Sequence, residues 1–200
     1  MDKAKFLENI TDWENHRYLL WLALEETKLL PYEKSIVLEM GCGDGSTRQL
    51  SEYCAHHNRL LYSFDTEQEW LNRFADCRSD KHIFTRIVNN WHIAQDICPN
   101  PSVILVDHAP GERRWVDIKN YSDKMEGIIV IHDTQPQPTA ADYAYEKIWH
   151  LFKYRVNLEV DKNDDGSGHN RTWASAVSNH HDVRKWAGME TGRPDYRIAI

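Results

Sequence analysis

The sequence predicts an α/β fold: a doubly wound, mostly parallel sheet with helices on both faces and an antiparallel pair of strands at its C-terminal edge. Three observations predict it. Short apolar runs alternate with helix-spaced segments between residues 36 and 132. The first of these runs ends in a glycine-rich turn, "GCGDG". After residue 150 the pattern changes to two alternating segments separated by a polar loop. Alternation of strand and helix implies crossover connections and a sheet covered on both faces.

Each element has its own signal. Phe6, Ile10 and Trp13, then Tyr18, Leu19, Trp21, Leu22 and Leu24, form apolar stripes at three- and four-residue spacing. They predict helices across residues 2–30, with Thr11 or Asp12 capping the second and Pro31 stopping the layer. Ile36–Met40 reads as a strand and Ser46–His57 as a helix. Leu60–Phe64 is the second strand, with a helix over Glu67–Cys77. Ile83–Val88, Val103–Val106 and Ile128–His132 follow as strands, with a helix over Trp115–Lys124 between the last two. A helix over Ala140–Phe152 precedes the segments Tyr154–Val160 and Trp173–Ser178, and Tyr196–Ile200 reads as an extended edge segment. Two hundred residues suit one well-cored domain. Within it, residues 1–30 read as a helical cap, 36–135 as the ligand-binding core and 140–200 as the C-terminal helix and strands.

Composition narrows the function. A net charge of −7 disfavours a phosphate-tracking surface, so no nucleic-acid partner is expected. The four cysteines, Cys42, Cys54, Cys77 and Cys98, lack C-x-x-C spacing, and no signal-peptide pattern precedes them. Reduced thiols and a cytoplasmic location are the expectation. "YLLWLALEETKLL" is too short and too charged to span a bilayer, so no membrane is expected. "DKNDDGSGHNRT" imitates the first half of a calcium loop, but its twelfth position is Thr172 where a glutamate is needed. It reads as a polar hairpin loop.

The chemistry starts at "IVLEMGCGDGST". In a parallel sheet, ligands bind at the carboxyl ends of strands, where glycines let them approach the backbone. A dinucleotide asks for G-x-G-x-x-G, whereas the spacing here is G-x-G-x-G with Ser46 next. Glu39 disfavours a pyrophosphate and suits a ligand carrying sulfonium and ammonium charge. Asp65, twenty residues after Gly45, is placed to accept both hydroxyls of a ribose. S-adenosylmethionine meets these requirements.

With "VLEMGCGDGST", "SFDTE", "VILVDHAPGERRWVDI" and "GIIVIHDT" in this order over residues 36–135, the chain resembles the class I S-adenosylmethionine-dependent methyltransferases. The resemblance implies a Rossmann-like core in which Glu39, Gly41, Gly43, Gly45 and Ser46 hold the cofactor and Asp65 binds its ribose. Asn89, Asn90 and Trp91 fall where that family contacts adenine. Asp107-His108 and His132-Asp133 end strands at the same edge and are the candidates for acceptor chemistry. They resemble the acids of the metal-dependent O-methyltransferases of catechol and sugar type. That implies a magnesium or manganese ion on Asp107 and Asp133, with His132 standing where a carboxylate or its neighbour is usual. Imidazole suits magnesium poorly and serves better as a base or transition-metal ligand. Two mechanisms therefore stay open, metal-assisted or metal-free with His108 or His132 as general base and Asp107 beside it.

Glu112, Arg113 and Arg114 lie just beyond the acceptor edge and read either as a solvated helix start or as a segment whose arginines orient a hydroxyl-rich or anionic acceptor. A wider resemblance to small methyltransferase-like modules attached to glycosyltransferases leans the acceptor toward a sugar hydroxyl on a glycan or glycoside. N- or C-methylation of a small molecule and a non-catalytic cofactor-binding module are the alternatives, and a dehydrogenase is a distant one.

Overall fold

The computed structural model describes residues 1–11, 14–31, 34–88, 90–135, 143–160 and 174–200. Among them, eight strands form one sheet: β1 (Val37–Met40), β2 (Leu61–Asp65), β3 (His82–Arg86), β4 (Val103–Val106), β5 (Ile128–His132), β6 (Tyr154–Val160), β7 (Ala174–Ser178) and β8 (Tyr196–Ala199). The sheet order is β3-β2-β1-β4-β5-β7-β6-β8. The first five strands are parallel, whereas β7 runs antiparallel to β5, β6 to β7 and β8 to β6. Strand order reverses between β1 and β4, which creates a crevice at their carboxyl ends.

Helices α1 (Lys3–Phe6), α2 (Arg17–Thr27) and α3 (Thr47–His56) are joined by α4 (Gln68–Arg73), α5 (His92–Ile97) and α6 (Arg114–Ser122). The alternation of the strands divides the core by parity. Val37, Val103, Leu105, Ile128 and Val130 pack with α2 and α3, while Leu38, Met40, Ile104, Val106, Ile129 and Ile131 pack with α5 and α6. The α2 layer is pinned by Arg59, 1% exposed, which donates to Ser35 O (3.0 Å), Leu24 O (3.1 Å), Thr27 Oγ1 (3.2 Å) and Ser102 Oγ (2.7 Å). These bonds tie α2 to the amino ends of β1 and β4.

The five parallel strands, the antiparallel pair and the β8 edge lie where the sequence puts them. Three helical expectations change. The run over residues 67–77 splits into α4 and a 3-10 turn, Ala75–Cys77. Helix α5 has Ile93 and Ile97 at helical spacing, but both are exposed and Ala94 is its one buried residue, so it is too short and too weakly packed for the sequence to reveal. The expected helix over 140–152 is, in its described part, two 3-10 turns, Tyr145–Lys147 and Trp149–Leu151. Its aromatic residues pair with one another instead of forming a stripe: Tyr143 with Tyr145 (5.6 Å) and Tyr145 with Trp149 (5.7 Å). Ala144, at φ +52°, breaks any continuous helix there. The calcium-loop look-alike, residues 161–172, lies outside the described residues.

Candidate active site

The glycine turn leaves β1 at Gly41, whose φ of +97° suits glycine. A Cβ there would stand 2.6 Å from Asp107 O, so the turn is pressed against the end of β4. Gly45 is as tightly enclosed, with Glu14 Cγ 2.7 Å from a would-be Cβ and His16 Cε1 at 3.4 Å. Gly43 differs: nothing lies within 4 Å of a Cβ built on it. Open space at the middle glycine, between two tightly packed ones, fits a ligand lying against the turn.

Glu39 sits beneath that turn and not in the open face. It is fully buried and accepts from Ser46 Oγ (2.6 Å), Thr47 Oγ1 (3.0 Å) and Ser63 Oγ (2.6 Å). The expected direct contacts of Glu39 and Ser46 with a ligand are thus taken up by each other, and the pair shapes the turn from below. Ser63 Oγ also meets His82 Nε2 at 2.8 Å, which extends the buried network across three strands. Burial pushes the Glu39 carboxyl up to about 7, against the pull of its three hydroxyl donors. The native chain therefore holds this proton more tightly than the unfolded chain does. The stability it confers is full below the ordinary value of 4.5 and is lost as pH rises through about 7. His82, pushed down to about 4 by burial, acts in the opposite sense. A comparison with Glu39→Gln isolates the glutamate: melting temperatures of the native chain should fall relative to this variant between pH 4.5 and about 7. Parallel melting curves across that window would contradict the assignment.

Asp65 closes the carboxyl end of β2. Its Oδ2 accepts from Cys42 N and its Oδ1 from Glu67 N, both at 2.8 Å, so it braces the turn and remains at the crevice. Each oxygen retains a second lone pair for a ribose hydroxyl. Asn90 is exposed, and its Oδ1 accepts from His92 N (3.0 Å) and Arg113 Nη2 (3.3 Å). Trp91 is buried and stacks on His108 at 4.1 Å. Asn89 lies outside the described residues.

The four strand-end candidates divide. His108 turns into the core under α6. Its side chain is fully buried, with Nε2 3.2 Å from Asp117 Oδ2, and burial holds its pKa below the ordinary value although Asp117 opposes the shift. An acceptor has no access to it, which removes it as a general base. Asp107, His132 and Asp133 do come together. His132 Nδ1 is 2.9 Å from Asp107 Oδ1 and 3.5 Å from Asp133 Oδ2. Asp133 has φ +58°, a conformation aspartate tolerates better than most residues. Burial works against the charged form of both partners, yet Asp107 and Asp133 raise the His132 pKa, while His132 and Arg114 hold the Asp107 carboxyl well below its usual range.

Arg114 changes the expected ligand set. Its Nη2 donates to Asp107 Oδ1 (3.0 Å), its Nη1 to Asp133 Oδ2 (3.1 Å) and its Nε to His108 O (2.7 Å). A guanidinium therefore bridges Asp107 and Asp133, where the sequence reading put a magnesium or manganese ion. The two carboxylates as arranged here do not fit that ion. Arg113 pairs with Asp117, at 3.1 Å, and is held away from this pair.

Three side chains of this edge escape the sequence reading. His16, 2% exposed, packs edge-on against His132 with ring centroids 4.6 Å apart. Tyr143 OH donates to Asp133 Oδ2 (3.3 Å) and Tyr145 OH to His132 O (3.1 Å). His16 sits in the polar run "ENHR" between two apolar stripes, an interruption in a helical pattern that was the one available signal.

These features define a Rossmann-like methyltransferase fold in which strand order reverses between β1 and β4. No protein-family model and no curated relative matches the sequence. Among solved structures, an rRNA methylase from Streptococcus thermophilus is similar over 80% of this chain and 95% of its own, with TM-score 0.53 and 12% identity. A precorrin-6Y C5,15-methyltransferase from Geobacter metallireducens covers 80% of this chain and 87% of its own, with TM-score 0.52 and 13% identity. A Streptococcus mutans chain described as a methyltransferase, solved with S-adenosylhomocysteine, covers 79% and 96%, with TM-score 0.52 and 12% identity. The likeness is one of fold. Among the described residues, no helix is long and apolar enough to cross a membrane.

Proposed function

We propose that this chain is an S-adenosylmethionine-dependent methyltransferase acting on a hydroxyl group of a sugar, glycan or small glycoside. One observation carries the reading: the turn whose middle glycine faces open space abuts the Asp107–His132 pair, with Asp107 O 2.6 Å from where a Cβ on Gly41 would stand. Gly41, Gly43 and Gly45 would hold the methionine part of the cofactor, Asp65 the ribose, and Asn90 the adenine, whereas the Trp91 ring is taken up by its stack on His108. Glu39 and Ser46 keep the turn in shape. When bound, S-adenosylmethionine supplies a sulfonium methyl group open to in-line displacement.

The chain's own task is to prepare the acceptor. A hydroxyl must lose its proton as it attacks, and a neutral amine need not do so at the same stage. Asp107 and His132, paired through Oδ1 and Nδ1, would act on the hydroxyl, either by taking its proton or by holding a cation that acidifies it. Arg114, Tyr143 and Asp133 add a polar rim of the kind that grips a hydroxyl-rich molecule. The net charge of −7 supports a small acceptor over a nucleic acid.

Incubation with S-adenosylmethionine and a panel of glycosides, catechols and amines, read by mass spectrometry, tests the proposal. The expected product is a glycoside heavier by one CH2. Methylation confined to amines or carbon would support the N- or C-methyltransferase alternative, and cofactor binding with no product anywhere would favour a non-catalytic module.

A further inference from the structure

Three ring nitrogens at this site are buried without a hydrogen-bond partner among the described residues: both of His16 and Nε2 of His132. Buried polar atoms are normally paired, and the unpartnered His16 ring stands against His132 with centroids 4.6 Å apart, so it calls for a partner at this point. One donor atom from each of His16, Asp107 and His132 lies within 4.8 Å of the others. We propose that His16, Asp107 and His132 bind a divalent transition-metal ion of the zinc, cobalt and nickel class. The proposal rests on reading this edge as the acceptor side of a methyltransferase, and it assigns the Asp107–His132 pair to the cation instead of to the proton.

The donor chemistry selects the ion. Two imidazoles and one carboxylate suit nitrogen-preferring transition metals, whereas magnesium prefers oxygen ligands throughout. The geometry agrees. Asp107 Oδ1 and His132 Nδ1 stand 2.9 Å apart, a spacing two donors on one ion can share, so a metal taken up between them and His16 replaces their hydrogen bond. Metal–nitrogen bonds of about 2.1 Å place tetrahedral ligands roughly 3.4 Å apart, so closure by at most ~1.4 Å completes the site. Charge does not oppose the cation, since Asp107 and Asp133 outnumber the one guanidinium between them, Arg114. Three protein ligands leave a coordination position for an acceptor hydroxyl. The same N-terminal segment that delivers His16 also packs on Gly45, which puts the ion beside the cofactor turn.

The test uses the full chain, stripped with a chelator and titrated with Co2+ by visible absorption and calorimetry. Uptake of one Co2+ per chain, displaced by Zn2+ and not by excess Mg2+, is expected. His16→Asn should weaken binding by about tenfold or more, while a control replacing both His56 and His57 should not. No uptake, wild-type affinity in His16→Asn, or displacement by Mg2+ as readily as by Zn2+ would overturn the site. If His16→Asn fails to fold, the paramagnetic shifts that Co2+ induces in the wild-type ring protons decide: they must fall on His16 and His132. A parallel titration with S-adenosylhomocysteine separates the two claims. Cofactor binding without metal uptake sinks the metal site alone, and metal uptake without cofactor binding sinks the proposed function alone.

Discussion

Replacing Asp107 with asparagine should lower methyl transfer by about two to four orders of magnitude, the range expected when acid–base assistance is lost. Binding of S-adenosylhomocysteine should stay unchanged. Asparagine keeps the shape of the side chain and removes its charge, and that charge has three tasks here. It holds His132 Nδ1 at 2.9 Å, it accepts from Arg114 Nη2 at 3.0 Å, and it outweighs the burial that opposes a charged His132. With an amide in its place the imidazole loses the partner that sets its tautomer. The backbone of the same residue packs close to Gly41 and is left in place by the substitution, so the cofactor side should be spared. Single-turnover rates beside calorimetry separate the two effects. A variant that transfers methyl at the native rate would show that the pair does not act on the acceptor.

Gly43→Val should have the converse effect. At Gly41 and Gly45 a side chain would strike protein atoms at 2.6 and 2.7 Å, so substitution there damages fold and site together. At Gly43 the space is open and φ is not positive, so a valine meets no protein atom within 4 Å at its Cβ. The side chain then occupies the room assigned to the cofactor. Affinity for S-adenosylhomocysteine should fall by about a hundredfold, equivalent to about 3 kcal/mol of overpacking, with the melting temperature unchanged.

The parallel half of the sheet was legible because each of its strands is a short apolar run closed by a turn, and runs such as "VILV" admit few other readings. The glycine turn is legible because a positive φ and a close approach to Asp107 constrain residue type at Gly41, and Asp65 braces that turn through Cys42 N. His108 was misplaced for a definite reason: two neighbouring residues at a strand end point to opposite sides, and the sequence does not say which one faces the crevice. Asp107 faces it, while His108 stacks on Trp91 in the core. Arg114 illustrates a second limit. Its position after β4 was visible, but the bridge between Asp107 and Asp133 depends on where α6 begins. His16 lies more than ninety residues from Asp107, and no local pattern connects them. The aromatic run from Tyr143 to Phe152 has helical spacing, yet its hydroxyls are used on Asp133 and on His132 O, and those contacts override the period.

Calorimetric titration with S-adenosylhomocysteine, run on the unsubstituted chain and on Gly43→Val side by side, tests the central claim most directly. The account predicts one site per chain in the first and about a hundredfold weaker binding in the second, with superimposable melting curves. Equal binding by both proteins, or no binding to the unsubstituted chain while NADH binds in its place, would contradict the reading of this turn as the cradle of a methyl donor.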